Sequence, residues 1–116
     1  MKDPLLYLVH IAESIAKIER YTGNDPAAMG NGLVYDAVLR NLQTLSEAAQ
    51  KLPEAIKQRH PEIPWQNIAG FRNVLVHDDL TGIDIAIIRR VIAQELPALK
   101  AAVLAELPED VRRDID

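Results

Sequence analysis

Residues 70 to 80 read GFRNVLVHDDL. Arg72, Asn73 and His77 interrupt what is otherwise an apolar helical run, and Asp78 and Asp79 follow at once. These residue types suit phosphodiester chemistry on RNA, a polymer that carries its own nucleophile in the 2′-hydroxyl. Histidine, with an ordinary pKa of about 6.5, can take and return a proton near neutrality. Arginine presents a planar fork of donors to a phosphate and to the extra charge of its transition state. Asparagine can orient the imidazole or donate to the phosphate. Such a reaction calls for no metal and no cofactor, and the chain has no cluster of histidines or carboxylates at ligand spacing.

Helical geometry limits how these groups meet. On a helix over 65–77, Trp65, Ile68, Phe71 and Leu75 share one side, at about 100° per residue. Gln66, Gly70, Asn73 and His77 share the opposite side. Gly70 costs the helix about 1 kcal/mol against alanine, but it admits close approach of another backbone. Arg72 and His77 are five residues apart, which places them about 140° from each other. Three arrangements bring them together: the helix loosens near His77, the arginine bends around, or a second copy of the chain completes the site. An ordinary account stands beside these. A histidine at a helix C-terminus gains from the helix dipole, and Arg72 can run its stem along the apolar stripe to reach an acid.

The elements that must position this segment are helical. The chain has 116 residues, 48% of them hydrophobic and only 4% aromatic. That suits one domain packed from Leu, Ile, Val and Ala on helices. Apolar spacing predicts main helices over about 4–21, 32–52, 65–77 and 83–107, with a short helix between the prolines of PEAIKQRHPEIP. Asp3 before Pro4 is read as a cap, and TGNDP as the end of the first helix. Leu42, Leu45 and Ala49 belong to one apolar seam, Ile88, Ile92, Leu96 and Leu99 to another, and Pro97 predicts a kink near 93–97. The expectation is an all-α, antiparallel four-to-five-helix up-and-down bundle: a single domain over 1–107 and a short charged tail over 108–116. The chain has no cysteine, no apolar run of membrane-spanning length and an opening stretch unlike a signal peptide, so a cytoplasmic protein without a membrane partner is expected. A net charge of −4 argues against unspecific nucleic-acid binding by the whole surface, though not against a local basic site.

RNVLVH, preceded by the HPEIPW run and the seam helix from Tyr35 onward, resembles the HepT-like branch of the HEPN superfamily over roughly residues 3–107. The mark of that family is R-x-x-x-x-H with a polar residue after the arginine, often extended to R-x-x-x-x-H-x-Y. The resemblance implies a homodimer whose motif helices meet around a composite RNA cleft. There His77 serves as base and then acid, Arg72 holds phosphate and Asn73 orients. It implies a metal-independent ribonuclease toxin acting on transfer RNA or messenger RNA, neutralised by a minimal nucleotidyltransferase antitoxin of the MntA type. Family antitoxins attach AMP to the motif tyrosine, but here that position is Asp79. Modification there is therefore not expected. Asp78 and Asp79 also favour the imidazolium form of His77, which binds phosphate but cannot act as base.

The departure at Asp79 sustains a second reading: a weak or silent helical dimer that docks the nucleotidyltransferase. Arg40 and Glu47, seven apart on the seam helix, are candidates to line the cleft, although Asp36–Arg40 and Glu47–Lys51 pairs at spacing four explain them as well. His10 is read as a surface residue, His60 as a turn residue and Trp65 as the anchor of the motif helix. Lys57 and Arg59 are further candidates for the RNA backbone.

Overall fold

The computed structural model describes residues 3–77 and 85–115, with the side chains of Pro26 and 72–77 outside that description. Helix α1 runs Pro4–Thr22. Asp3 caps it, its Oδ1 accepting from the Leu5 amide at 2.9 Å, and Gly23 ends it in the left-handed conformation at φ 58. A 3₁₀ turn at Pro26–Gly30 leads to α2, Gly32–Gln50, capped by the Asn31 side chain. Helix α3 is Glu54–Arg59, between prolines, and α4 is Trp65–His77. The last long rod comprises α5 (Ile85–Arg90), a π-helical turn (Val91–Glu95) and α6 (Leu96–Glu106). Helix α7, Glu109–Asp114, closes the described chain, and among the described residues there is no strand.

Helix α2 is the centre of the packing, lying against α1 and α4, while α6 covers α1. Val38, Leu42, Leu45 and Ala49 of α2 meet Leu8, Ile11, Ile15 and Ile18 of α1 in one continuous core. Ile68 anchors α4 to it, and Leu96, Leu99 and Val103 bring in α6. The tail is not merely solvated, because Val111 and Ile115 pack partly buried on the same core. Among the described residues no helix is long and apolar enough to cross a membrane.

The π turn falls where the sequence predicts a kink, and it changes the seam. Pro97 has no amide hydrogen to give residue 93, and the Leu96 amide reaches back five residues to the Val91 carbonyl. One extra residue per turn shifts the buried row from the expected 88, 92, 96 to Ile88, Val91, Leu96. Ile92 is only partly buried as a result. The same shift moves Glu95, which α-helical spacing would set in line with Val91 and Leu99, to the edge of the core.

Candidate RNA-processing site on the motif helix

Helix α4 carries Arg72, Asn73 and His77, and its backbone is α-helical through His77. Loosening of the helix ahead of His77 is therefore not a route to joining arginine and histidine; of the three arrangements considered, the bent arginine and the second chain remain. The contacts of these three side chains, and Asp79 altogether, lie outside the described residues.

What holds the start of α4 is plain. The Trp65 indole Nε1 donates to the carbonyls of Lys57 (3.2 Å) and His60 (3.0 Å), tying α4 to the end of α3. Ile68 is fully buried, and Gln50 Nε2 of α2 donates to the Ala69 carbonyl at 2.8 Å. Trp65 is thus the anchor the sequence suggests, with its polar edge already satisfied. Gly70 stands apart from these contacts: a Cβ built on it meets nothing within 4 Å. No neighbour within the described chain uses the close approach that a glycine permits.

Beside Gly70 opens a pocket of about 420 Å³ between α4, α2 and the last rod. Its walls are Leu42, Phe71, Ile88 and Val91, with Arg90 and Glu95 as its charged groups. The Glu95 Oε2 is buried and lacks a hydrogen-bond partner among the described residues. A wider groove of about 630 Å³ lies on the other side of Gln66 and Asn67, between Lys57 and Trp65.

The other candidates fall in different places. Arg40 is exposed on α2. Glu47 is half-buried, accepts from Gln43 Nε2 at 3.5 Å and lines a small groove with Tyr7 and His10. Lys51 lies 5.9 Å from the centre of the Tyr7 ring. His10 is exposed, as expected. Arg59 and His60 do more than the sequence suggests. Arg59 donates to both oxygens of Glu106 (2.6 and 3.1 Å), and His60 Nε2 lies 2.7 Å from Glu106 Oε2. Chiefly the Arg59 guanidinium, with help from His60, holds the Glu106 carboxyl down at about 2. This engages Arg59 in the fold and leaves Lys57 as the freer candidate for a backbone phosphate. No local signal marks the cluster, since Glu106 lies 47 residues from Arg59 and 46 from His60. Among the described residues, no three His, Asp or Glu side chains converge as a metal site requires.

An all-helical domain with an R-x-x-x-x-H motif on a core-anchored helix defines the HEPN-like class. Residues 11–105 match the family described as "Ribonuclease HepT-like", and the chain belongs to that family. It is 33% identical to the "Probable ribonuclease HepT" of Thermococcus cleftensis, over 81% of this chain and 86% of that protein. It is also 33% identical to a "Putative RNase" of Caldanaerobacter subterraneus subsp. tengcongensis, over 89% of this chain and 93% of that one. A third relative, from Methanocaldococcus jannaschii, is named "Gamma-glutamylcyclotransferase and putative RNase" and is 32% identical over 93% of this chain. The chain spans about half, 49%, of that longer protein. No solved structure gives a significant match. The family and its relatives thus place the chain among ribonuclease-type proteins.

Proposed function

We propose that the chain is a metal-independent endoribonuclease working as a homodimer, with His77 and Arg72 from paired α4 helices acting on one phosphodiester. His77 takes the 2′-hydroxyl proton as that oxygen attacks phosphorus, and an imidazolium then protonates the leaving 5′-oxygen. Arg72 neutralises the charge that gathers on the non-bridging oxygens, and Asn73 orients the ring or the phosphate. In this reading the protein is a toxin acting on transfer RNA or messenger RNA, held in check by a minimal nucleotidyltransferase, and works in the cytoplasm. The observation that carries it is the placement of Arg72, Asn73 and His77 on one unbroken helix in a chain of the ribonuclease HepT-like family.

The test is cleavage of total RNA in EDTA by the purified chain and by His77→Ala. Loss of a proton-transfer group is expected to lower the rate about 10²–10⁴-fold. Equal cleavage by the two proteins overturns the assignment. Asp79, in place of the family tyrosine, favours a second reading, in which the dimer docks the nucleotidyltransferase without cutting RNA. Absence of wild-type cleavage at every pH from about 5.5 to 8.5, the range over which a histidine changes charge, would select that reading.

A further inference from the structure

The pocket beside Gly70 has the make-up of a small-ligand site: apolar walls, a few polar groups and a volume of about 420 Å³. Its unmet demand is specific. Among the described residues Glu95 Oε2 is buried without a donor, and a carboxylate oxygen is an acceptor. The ligand must therefore bring hydrogen-bond donors. A phosphate brings none and carries like charge. Arg90 on the same pocket repels an incoming lysine or arginine, yet attracts a phosphate attached to a donor-bearing group. Phe71 and the aliphatic walls offer flat apolar surface. Donors on an edge, apolar faces and a phosphate attached are the features of an unstacked nucleobase in single-stranded RNA. Guanine alone among the four common bases sets a ring N–H beside an exocyclic amino group, so that two parallel donors face the two carboxylate oxygens.

We infer that this pocket receives a guanine of the RNA substrate, with Glu95 accepting from its N1–H and N2–H and Phe71 against its face. The inference rests on the ribonuclease reading, since α4 also carries the proposed catalytic residues. Gly70 lies three residues before Asn73 and seven before His77, on the same helical face. The open space at Gly70 keeps that face clear where the nucleotide passes. The π turn sets Glu95 at the pocket rather than in the core seam, in keeping with the frequency of such turns at functional sites.

The experiment has two arms, both on the full chain. In the first, guanosine and uridine 5′-monophosphates are titrated against the wild type and Glu95→Gln, with amide shifts followed by NMR. Guanosine monophosphate is expected to bind at least about tenfold more tightly and to move the Gly70, Phe71 and Glu95 signals, with the difference lost in Glu95→Gln. Equal binding of the two nucleotides, or shifts elsewhere, overturns the inference. In the second arm, product ends from random-sequence RNA are sequenced. Guanine enrichment at a fixed distance from the cut, abolished by Glu95→Gln, supports it. Cleavage without base preference refutes the pocket but leaves the nuclease standing, whereas selective guanosine binding by a chain that cuts no RNA does the reverse. If Glu95→Gln changes the sedimentation of the protein and not its base preference, the pocket holds a second copy of the chain, and the inference falls. Glutamine is nearly isosteric with glutamate, and thermal unfolding of the variant confirms that it is folded.

Discussion

Glu106 receives Arg59 and His60 where the end of α6 meets the end of α3. Its carboxyl is held at about 2 against an ordinary 4.5, so the folded state prefers it ionised. The resulting stabilisation is complete above pH 4.5 and is lost as the pH falls toward 2. Glu106→Gln is therefore expected to lower the unfolding midpoint at neutral pH by about 3–5 °C, an effect discounted for solvent access. The gap should close on acidification, and a gap as large near pH 2 as at pH 7 would refute the account. Asp79 poses a separate question at this scale. Asp79 stands two residues after His77 in the sequence, so its charge is expected to favour the imidazolium, and Asp79→Asn should move the rising limb of the pH–rate profile to lower pH. An unchanged profile would show that the two side chains do not sense each other. Arg72, Asn73 and His77 could be proposed from the sequence because their types and spacing are local facts. The Glu106 cluster was not, because only the return of α6 beside α3 brings it together.

At the scale of elements, the motif helix depends on its first residue. Replacing Trp65 with phenylalanine keeps most of the apolar contact but leaves the Lys57 and His60 carbonyls without their shared donor. Both carbonyls keep a backbone donor, the His60 and Ile63 amides, so a loss of about 0.5–1.5 kcal/mol in denaturant unfolding is expected. A loss below this range would mean that α4 is held by Ile68 and Gln50 alone. The caps and breaks of α1 and α2 could be read from Asp3, Pro4, Gly23 and the apolar seams, since each acts within a turn of its own position. The break in regular α-helix along the last rod could be read from Pro97. Its consequence could not: a π turn moves the buried row by one residue, and whether the chain absorbs a proline by bending or by widening a turn depends on what packs against it.

For the whole molecule, the proposed site is one shared by two chains. On an unbroken α4, positions 72 and 77 lie about 140° apart around the helix axis, which favours a partner supplying one of the two groups. Mixing Arg72→Ala with His77→Ala tests this directly. If arginine and histidine come from different subunits, each mixed dimer holds one intact pair, and random exchange should restore about a quarter of wild-type activity. If both come from one subunit, no mixed dimer holds an intact pair and the mixture stays inactive. Sedimentation of each variant checks that pairing itself survives the substitutions.

By itself the sequence determined the helical class, the approximate ends of its main helices, the motif and the family resemblance. The class and the helix ends arise from periodicity and caps within a few turns of chain, the motif from residue types and spacing, and the resemblance from residue identities along most of the chain. Only the tertiary structure decided that Glu95 leaves the seam for a pocket beside Gly70, that Arg59 is tied to Glu106, and that α4 is pinned at Trp65. Those outcomes depend on which helices lie side by side, and packing between distant segments is settled by the shape and volume of the assembled core.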